Sequence, residues 1–313
     1  MPVRDKLLLV GPLPSALEKE LSANFELLPL WLEPDRANFL QQHQGQFVAG
    51  VTMSRHGCQE DVFSCLRNKA VVCFGVGFEG IDLRAAELHN VAVSTTPDVP
   101  TDCVADIAFG LIIGIARQML PAAQFVQEGR WTHGTFGLTT RVSGKRLGIV
   151  GLGRIGLAIA RRAQGFDMEV RYHSRHTVKG VPYAHEPDLQ KLAAFSDFLV
   201  IACTGGPETR HLISATVLKA LGPSGYLINI ARGSVMDEDA LVQAIERQEI
   251  AGAGLDVLAH EPQVPAGLLQ NNRVLLLPHM AATTFETRSA MEKLVIDNLN
   301  AFLTTGKVLT PPV

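Results

Sequence analysis

A glycine-rich segment in the middle of the chain constrains the fold more than any other feature. The sequence GIVGLGRIG at 148–156 places Gly151, Gly153 and Gly156 in the spacing G-x-G-x-x-G, after a strand pattern and before a helix pattern. In such a unit the first glycine permits a tight turn, the second lets the backbone approach a pyrophosphate, and the third allows close helix packing. Arg154 and Ile155 lie in the predicted first helical turn, whose N–H groups attract phosphates. The segment therefore predicts a dinucleotide site.

The position of this segment predicts two domains. The chain has 313 residues, whereas single cores stop growing beyond roughly 250–300 residues. The preceding region alternates helix-like stretches with short apolar runs, which is typical of a parallel sheet covered by helices. The predicted strands of this region lie at 6–11, 25–30, 47–52, 70–75 and 91–96.

The fold class that follows is α/β, with two doubly wound parallel-sheet domains. A Rossmann nucleotide domain over 99–285 is predicted to be inserted into a flavodoxin-like substrate domain formed by 1–98 and 286–313. One long helix is predicted over 101–128, buried as far as Leu120, with bends at Gly114 or Pro121. An amphipathic helix is predicted over 286–306.

Composition excludes several classes of protein. The net charge is −3 and no long Lys/Arg run exists, so we expect neither a nucleic-acid partner nor an anionic membrane surface. The sequence contains no run of roughly 18 or more apolar residues, so no membrane span is predicted. The five cysteines are scattered without a C-x-x-C pair, which predicts reduced thiols in a cytoplasmic protein. No His or Cys spacing predicts a metal site.

The turn after the second strand of the nucleotide domain predicts which cofactor is preferred. An NAD site usually carries Asp or Glu here for the ribose hydroxyls. The sequence RYHSRH instead supplies Ser174 and Arg175 and no carboxylate. Because arginine pairs with phosphate through charged hydrogen bonds, the turn predicts NADP(H) over NAD(H). The alternative interpretation is a solvated surface arginine.

Three polar residues follow the later predicted strands. Arg232, Glu261 and His279 lie where strands of an open α/β sheet end, and such ends face the ligand crevice. Hydride transfer to a 2-oxo acid needs a cation for the carboxylate, a proton donor at the carbonyl, and a group that tunes the donor. Taken singly, each residue has another explanation. Arg232 is also explained as a surface arginine, Glu261 as a turn carboxylate and His279 as a loop histidine. Together they predict an oxidoreductase.

Over essentially its whole length the chain resembles the D-specific 2-hydroxyacid dehydrogenase family. The resemblance is carried, in order along the chain, by GVGFEGID, TTPDVPTDCVADIAFGLII, GKRLGIVGLGRIGLAIARRA, INIARGSVMDEDALVQAI, AGAGLDVLAHEP and LLPHMAATTFET. Within the family it is similar to the glyoxylate/hydroxypyruvate reductases, including the plant-type hydroxyphenylpyruvate reductases. NADPH-dependent reduction of glyoxylate or hydroxypyruvate is the activity that this resemblance implies.

The resemblance also implies roles for individual residues. Arg232 would bind the substrate carboxylate and polarise the keto oxygen. His279 would be the general acid in reduction, and Glu261 would hydrogen-bond it and keep it protonated. Asp256 would lie near the nicotinamide carboxamide. Further cofactor contacts are implied for Ile230 and Ala231 at the ring and for Cys203, Thr204 and Thr209 beside the adenosine. The last three lie in ACTGGPETRH, which departs from the family's PLTPET.

Substrate recognition is predicted in the first domain. Backbone N–H groups of Val76 and Gly77 would hold the carboxylate, as the resemblance implies. Met53 and Ser54 follow a predicted strand in VTMSRHG and are expected to set specificity. Arg55 in the same loop either favours a substrate with an extra acidic or hydroxyl group or is solvated.

A polar and aromatic segment, EGRWTHGTFGLTT, contains Trp131 and Phe136. The family's corresponding arm builds a two-fold dimer, so a homodimer is predicted. The resemblance leaves open hydroxyphenylpyruvate or phosphoglycerate dehydrogenase-type activity, and a non-enzymatic sensor like the family's corepressor relatives. Glu261 argues against formate dehydrogenase relatives, which carry Gln there. The presence of Arg232, Glu261 and His279 together argues against a sensor, because binding alone does not require that set.

Overall fold

The computed structural model describes residues 4–269 and 271–312. The chain divides into two compact units, one formed by Met1–Pro100 with Thr284–Val313 and the other by Thr101–Thr283. The predicted domain boundaries fall after residues 98 and 285, whereas this division falls after 100 and 283. Which unit binds substrate and which binds dinucleotide stays a prediction at this point.

The first unit contains a five-stranded parallel sheet. Its strand order is β2-β1-β3-β4-β5, which is the flavodoxin-like order. The strands are β1 (Lys6–Leu9), β2 (Glu26–Pro29), β3 (Phe47–Met53), β4 (Ala70–Phe74) and β5 (Ala92–Ser94). β3 and β4 are apolar almost throughout and buried, because helices cover both faces of such a sheet.

The helices of the first unit flank this sheet. They are α1 (Ser15–Asn24), α2 (Arg36–Gln42), α3 (Glu60–Phe63), α4 (Leu83–Leu88) and the C-terminal α11 (Phe285–Thr305). The apolar side of α11, with Val295 and Leu299, packs in one core with Leu7, Leu9 and Phe74 of the sheet. The predicted C-terminal amphipathic helix is therefore confirmed, within one residue at each end.

The second unit contains a seven-stranded sheet, also parallel throughout. The strands are β6 (Arg146–Val150), β7 (Glu169–His173), β8 (Ala184–His185), β9 (Phe198–Ile201), β10 (Tyr226–Asn229), β11 (Gly252–Leu255) and β12 (Val274–Leu276). Their order is β12-β11-β10-β9-β6-β7-β8, so the sheet reverses direction of winding between β6 and β9. Ligands of doubly wound sheets bind at such a switch point. The predicted fold class is confirmed.

The described part of the second unit contains six α-helices. They are α5 (Thr101–Ala116), α6 (Met119–Gln127), α7 (Arg154–Gln164), α8 (Leu189–Phe195), α9 (Ala215–Leu221) and α10 (Glu238–Glu246). α5 is the buried one: Leu111 and Ile112 have no exposed surface and pack with Ile149 and Ile228 of the sheet.

The single helix predicted over 101–128 is wrong, because the chain forms two helices bent by 59°. The break is at Gln118, whose backbone is left-handed with φ 48°, and neither Gly114 nor Pro121 causes it. Pro121 lies in the first turn of α6, where a missing N–H breaks no helical hydrogen bond. Leu120, expected to be buried, is 54% exposed. The prediction of burial therefore applies to α5 alone.

Three other features bear on what kind of site the chain can hold. No single helix within the described ranges is long and apolar enough to cross a membrane, although the bent pair α5–α6 passes by length and composition. Among the same residues, no cluster of His, Cys, Asp and Glu side chains is arranged to hold a metal ion. All five cysteines are free thiols.

Candidate active site

The glycine loop joins β6 to α7. Gly151 has φ +94°, and a Cβ there would lie 2.6 Å from the Cα of Cys203. A Cβ at Gly156 would lie 2.1 Å from the carbonyl oxygen of Gly151. A Cβ at Gly153 meets no described heavy atom within 4 Å. The first and third glycines are therefore required by the turn and by helix packing, while the second faces open space.

The N-terminus of α7 completes this loop. Gly153 is the residue before the helix, and no side chain in the described structure caps it. Other helices of the same unit are capped by carboxylates, such as Asp188 before α8 and Asp237 before α10. An uncapped N-terminus presents N–H groups and a partial positive charge. Open space at the second glycine and this helix end fit the pyrophosphate of a dinucleotide.

The turn after β7 carries the two residues predicted to select the cofactor. The Ser174 hydroxyl donates to the carbonyl oxygen of His176 at 2.6 Å, so its proton is used inside the turn. The Ser174 carbonyl oxygen lies 3.0 Å from Nε2 of His185, which further fixes the turn. Arg175 extends into solvent and donates to Glu208 at 2.5 Å. The exposed guanidinium of Arg175 is thus a group of this turn that can bind an anion, and the predicted contact of Ser174 with the cofactor stays a prediction.

The predicted adenosine loop follows β9. Burial raises the pKa of the Cys203 thiol to about 11, so the thiol stays protonated at neutral pH. The Thr209 hydroxyl donates to the carbonyl oxygen of Thr204 at 2.8 Å. This hydrogen bond links the two ends of the segment that departs from the family pattern. The loop is therefore stabilised from within, and the predicted adenosine contacts in it stay predictions.

The turn after β10 positions Arg232. The Asn229 side chain is fully buried; its amide donates to the carbonyl oxygen of Arg232 at 3.0 Å, and its oxygen accepts from the Ala231 N–H at 3.1 Å. Ile230 and Ala231 are each 7% exposed. The turn that carries Arg232 is thus held by one buried amide, a role that the sequence analysis did not assign.

His279 and Glu261 form a hydrogen-bonded pair. Nδ1 of His279 lies 2.7 Å from Oε2 of Glu261, and the side chains are 44% and 37% exposed. An ionised carboxylate only accepts hydrogen bonds, so Nδ1 carries the hydrogen. Nε2 is then the ring nitrogen left to exchange a proton with a ligand.

Glu261 is held ionised by its surroundings. Burial alone would raise the pKa of this carboxyl, but hydrogen bonds from His279 and from the Leu258 N–H lower it below its usual range. The charges of His279 and Arg232 act in the same direction. The three residues predicted from the sequence therefore lie close enough to interact electrostatically.

Asp256 holds the loop that carries His279. Its carboxylate accepts from the N–H groups of Met280 at 2.8 Å and Ala281 at 3.0 Å. Its carbonyl oxygen accepts from the His279 N–H at 2.9 Å, and the His279 backbone is left-handed with φ 53°. Burial raises the pKa of Asp256 despite these two backbone donors. Asp256 therefore anchors the His279 loop, a role that its sequence motif does not indicate, and its predicted place near the nicotinamide carboxamide stays a prediction.

Glu238 is a second residue that sequence reasoning missed. It is 9% exposed, and its carboxylate accepts from the Ala259 N–H at 2.9 Å, so it holds the loop that carries Glu261. The available signal was an acidic run, DEDAL, which is explained equally well by the start of α10.

The predicted substrate residues of the first unit follow two adjacent parallel strands. Met53 ends β3, and the Ser54 N–H donates to the carbonyl oxygen of Phe74 at the end of β4. Val76 and Gly77 follow β4, and Val76 is 37% exposed. These residues thus share the carboxyl edge of the first sheet. Their role in binding substrate stays a prediction.

Arg55 lies in the same loop and is exposed. Its Nε donates to Nε2 of His56 at 3.3 Å. Burial and the charge of Arg55 lower the pKa of His56, which favours the neutral ring that such an acceptor requires.

The segment after α6 forms an exposed aromatic cluster. Trp131 is 67% exposed. Phe136 packs edge-on against Phe125 with ring centroids 5.6 Å apart, and Arg130 lies over the Phe125 ring at 4.9 Å. The predicted dimer arm thus presents apolar side chains at the surface.

Comparison with known proteins identifies a family that the chain resembles over most of its length. Residues 109–281 match the family described as D-isomer specific 2-hydroxyacid dehydrogenase, NAD binding domain. The chain is 42% identical to hydroxyphenylpyruvate reductase of Plectranthus scutellarioides, and 42% identical to glyoxylate/hydroxypyruvate reductase A of Arabidopsis thaliana, over 98% of each chain in both cases.

A solved structure of a reductase is also similar to this chain. The NADPH-dependent glyoxylate/hydroxypyruvate reductase of Sinorhizobium meliloti, in complex with NADP and malonate, superposes with a TM-score of 0.90 at 37% identity. The match covers 98% of this chain and 96% of that one. The resemblance seen in the sequence is therefore confirmed. This chain belongs to the D-isomer specific 2-hydroxyacid dehydrogenase family, whose members are oxidoreductases.

Proposed function

We propose that this chain reduces a small 2-oxo acid, glyoxylate or hydroxypyruvate, to the D-2-hydroxy acid with NADPH. The observation that carries the proposal is the His279–Glu261 pair at 2.7 Å, with Arg232 close enough for its charge to act on Glu261. When bound, the reduced nicotinamide supplies the hydride to the carbonyl carbon.

His279 is the proposed general acid. Its Nδ1–H is fixed on Glu261, so Nε2 donates the proton to the carbonyl oxygen as that oxygen gains charge. Glu261 stabilises the imidazolium before transfer and holds the ring in one orientation. In the reverse direction the same nitrogen accepts the proton from the hydroxyl group.

Arg232 is proposed to bind the substrate carboxylate. A guanidinium pairs with a carboxylate through two parallel hydrogen bonds, which fixes the substrate as well as attracting it. The buried Asn229 holds the turn that carries it. Met53, Ser54, Val76 and Gly77 remain proposed as substrate-binding residues of the first unit.

NADP(H) is the proposed cofactor. Arg175 supports this, because it follows β7 where NAD-specific sites usually place a carboxylate. The NADP complex of the Sinorhizobium meliloti relative supports it as well. The glycine loop, with Arg154 and Ile155 at the start of α7, is proposed to hold the pyrophosphate.

Hydroxyphenylpyruvate is the second candidate substrate. The relative from Plectranthus scutellarioides that bears this activity in its name is as similar to the chain as the glyoxylate/hydroxypyruvate reductase of Arabidopsis thaliana. A homodimer is also proposed, supported by the exposed Trp131 and its aromatic neighbours. A mass measurement that finds a stable monomer would contradict the dimer.

A panel of substrates and cofactors tests the proposal. Oxidation of NADPH and NADH is followed with glyoxylate, hydroxypyruvate and hydroxyphenylpyruvate in the native chain and in Arg175→Ala. We expect the highest kcat/KM with NADPH and one of the two small acids. Arg175→Ala should raise KM for NADPH roughly 10- to 100-fold, through loss of charged hydrogen bonds, and leave NADH nearly unchanged. Absence of turnover on every acid would favour a sensor instead.

A further inference from the structure

The Arg175–Glu208 ion pair joins two loops that flank the glycine loop. β7 and β9 lie on either side of β6 in the second sheet. Arg175 follows β7, and Glu208 lies in the short 3-10 helix Pro207–Thr209 that follows β9. Their charged atoms are 2.5 Å apart, and the side chains are 78% and 75% exposed. The pair therefore lies at the carboxyl edge of the sheet, at its switch point.

The same guanidinium cannot fully serve two anions. Glu208 holds one N–H of Arg175 and compensates its charge, so a 2′-phosphate bound at this turn would compete with Glu208 for the orientation and charge of the guanidinium. Exposed ion pairs are weak, whereas a phosphate carries more charge and three acceptor oxygens. A phosphate can therefore displace the carboxylate. The 2′-hydroxyl of NADH has no charge with which to do so.

We propose that Glu208 is a specificity-determining residue that competes with the 2′-phosphate of the cofactor for Arg175. This inference rests on the proposed use of NADP(H). Glu208 thereby weakens binding of NADPH relative to what Arg175 alone would provide, and its carboxylate repels the phosphate after displacement. Binding of NADH does not require that the pair open.

The local structure limits how the exchange takes place. The hydroxyl of Thr209 donates to the carbonyl oxygen of Thr204 and closes the loop beside Glu208. The turn at Arg175 is fixed by the hydrogen bond from Ser174 to His176. The two exposed side chains can thus separate by rotation alone, without unfolding of either loop.

Calorimetric titration of the full chain tests the competition. The ligands are 2′,5′-ADP, 5′-ADP, NADPH and NADH, with Glu208→Gln as the variant. For the ligands with a 2′-phosphate we expect Kd to fall about threefold to fivefold, the range set by a weak exposed pair. Kd for 5′-ADP and NADH should stay within twofold. The effect should shrink at high salt, because exposed charges are screened.

Glu169→Gln is the matched control. Glu169 is 58% exposed and pairs with Arg171 at 2.9 Å in β7, so this variant makes the same charge change in another exposed pair. We expect no change in any Kd. An equal gain in Glu169→Gln would overturn the inference, as would unchanged or weaker NADPH binding in Glu208→Gln. Weaker binding would mean that Glu208 positions Arg175 instead of competing for it.

Arg175→Ala separates failure of the inference from failure of the proposed cofactor. Equal loss of NADPH and NADH binding in that variant would contradict NADP(H) preference itself. A selective loss, together with a neutral Glu208→Gln, would contradict the inference alone. In an Arg175→Ala background we expect most of the gain from Glu208→Gln to disappear, because residues that share one interaction are not additive.

Discussion

Two hydrogen-bonded pairs in the second unit, each with one carboxylate partner, have nearly the same length. His279 and Glu261 are 2.7 Å apart, and Arg175 and Glu208 are 2.5 Å apart. The first pair is 44% and 37% exposed, whereas the second is 78% and 75% exposed. Distance alone therefore does not distinguish a pair suited to proton transfer from one suited to exchange with a ligand.

The two pairs differ in what fixes their backbones and their charges. The Leu258 N–H holds Glu261, and Asp256 holds the loop of His279 through both carboxylate oxygens. The pKa of Glu261 is lowered against the effect of its burial. Solvent instead surrounds Arg175 and Glu208, and exposed pairs contribute only about 0–1 kcal/mol. A preorganised group suits catalysis, and a weak pair suits competition.

The largest effect should come from His279→Ala. Loss of a positioned general acid lowers kcat by about 10²- to 10⁴-fold, while Kd for NADPH should stay within twofold. Steady-state rates and a cofactor titration measure the two quantities. Arg175→Ala should show the opposite pattern, with weak NADPH binding and nearly normal kcat at saturation. Retained turnover in His279→Ala would end the proposed acid role and the distinction between the pairs.

A smaller loss of catalytic activity is expected for Glu261→Gln. The amide oxygen can still accept the Nδ1–H of His279 but carries no charge to stabilise the imidazolium. An opposite charge at hydrogen-bond distance favours a cation by a factor on the order of 10 to 1000. We expect kcat/KM at neutral pH to fall by about 10- to 100-fold. An unchanged rate at neutral pH would show that Glu261 only orients the ring.

The lowered pKa of Glu261 sets the pH range of its contribution to stability. Because the folded value lies below the ordinary 4.5, the stabilisation is fully present above pH 4.5 and is lost as pH falls through the folded value. Urea unfolding as a function of pH should therefore show a smaller acid-side loss in Glu261→Gln. An equal loss of unfolding free energy at acid pH in the native chain and in Glu261→Gln would contradict this contribution of Glu261 to stability.

Features of the two pairs that depend on local sequence could be predicted. Arg175, Arg232 and His279 follow strands whose apolar runs are readable, so their placement at one edge of a sheet could be foreseen. The ion pair between Arg175 and Glu208 could not be predicted from the sequence, because it depends on which loops flank β6 once the sheet has formed. The break at Gln118 was missed because a left-handed glutamine carries no glycine or proline signal. The edge strand β8 has only two residues, too few to show the alternation of apolar and polar residues by which a strand is recognised in a sequence.

The role of Asp256 in holding His279 gives the smallest expected effect on the reaction. In Asp256→Asn, one of the Met280 and Ala281 N–H groups would face an amide donor. A buried donor without an acceptor costs about 1–3 kcal/mol of free energy. We expect this cost to increase local opening of the loop that carries His279, without global unfolding of the second unit. We expect kcat to fall by about fivefold to tenfold, with KM for the 2-oxo acid nearly unchanged. Hydrogen exchange at Met280 and Ala281 measures the loosening directly.

Asp237→Asn is the control for this substitution. Asp237 caps α10 and accepts from the Ala240 N–H at 3.0 Å, and asparagine caps helices as well as aspartate does, so neither kcat nor exchange should change. If Asp256→Asn weakened NADPH and NADH binding while protection of Met280 and Ala281 stayed native, contact with the nicotinamide would be its role. Faster exchange with a lower kcat would instead mean that backbone anchoring is what separates the His279–Glu261 pair from the exposed one.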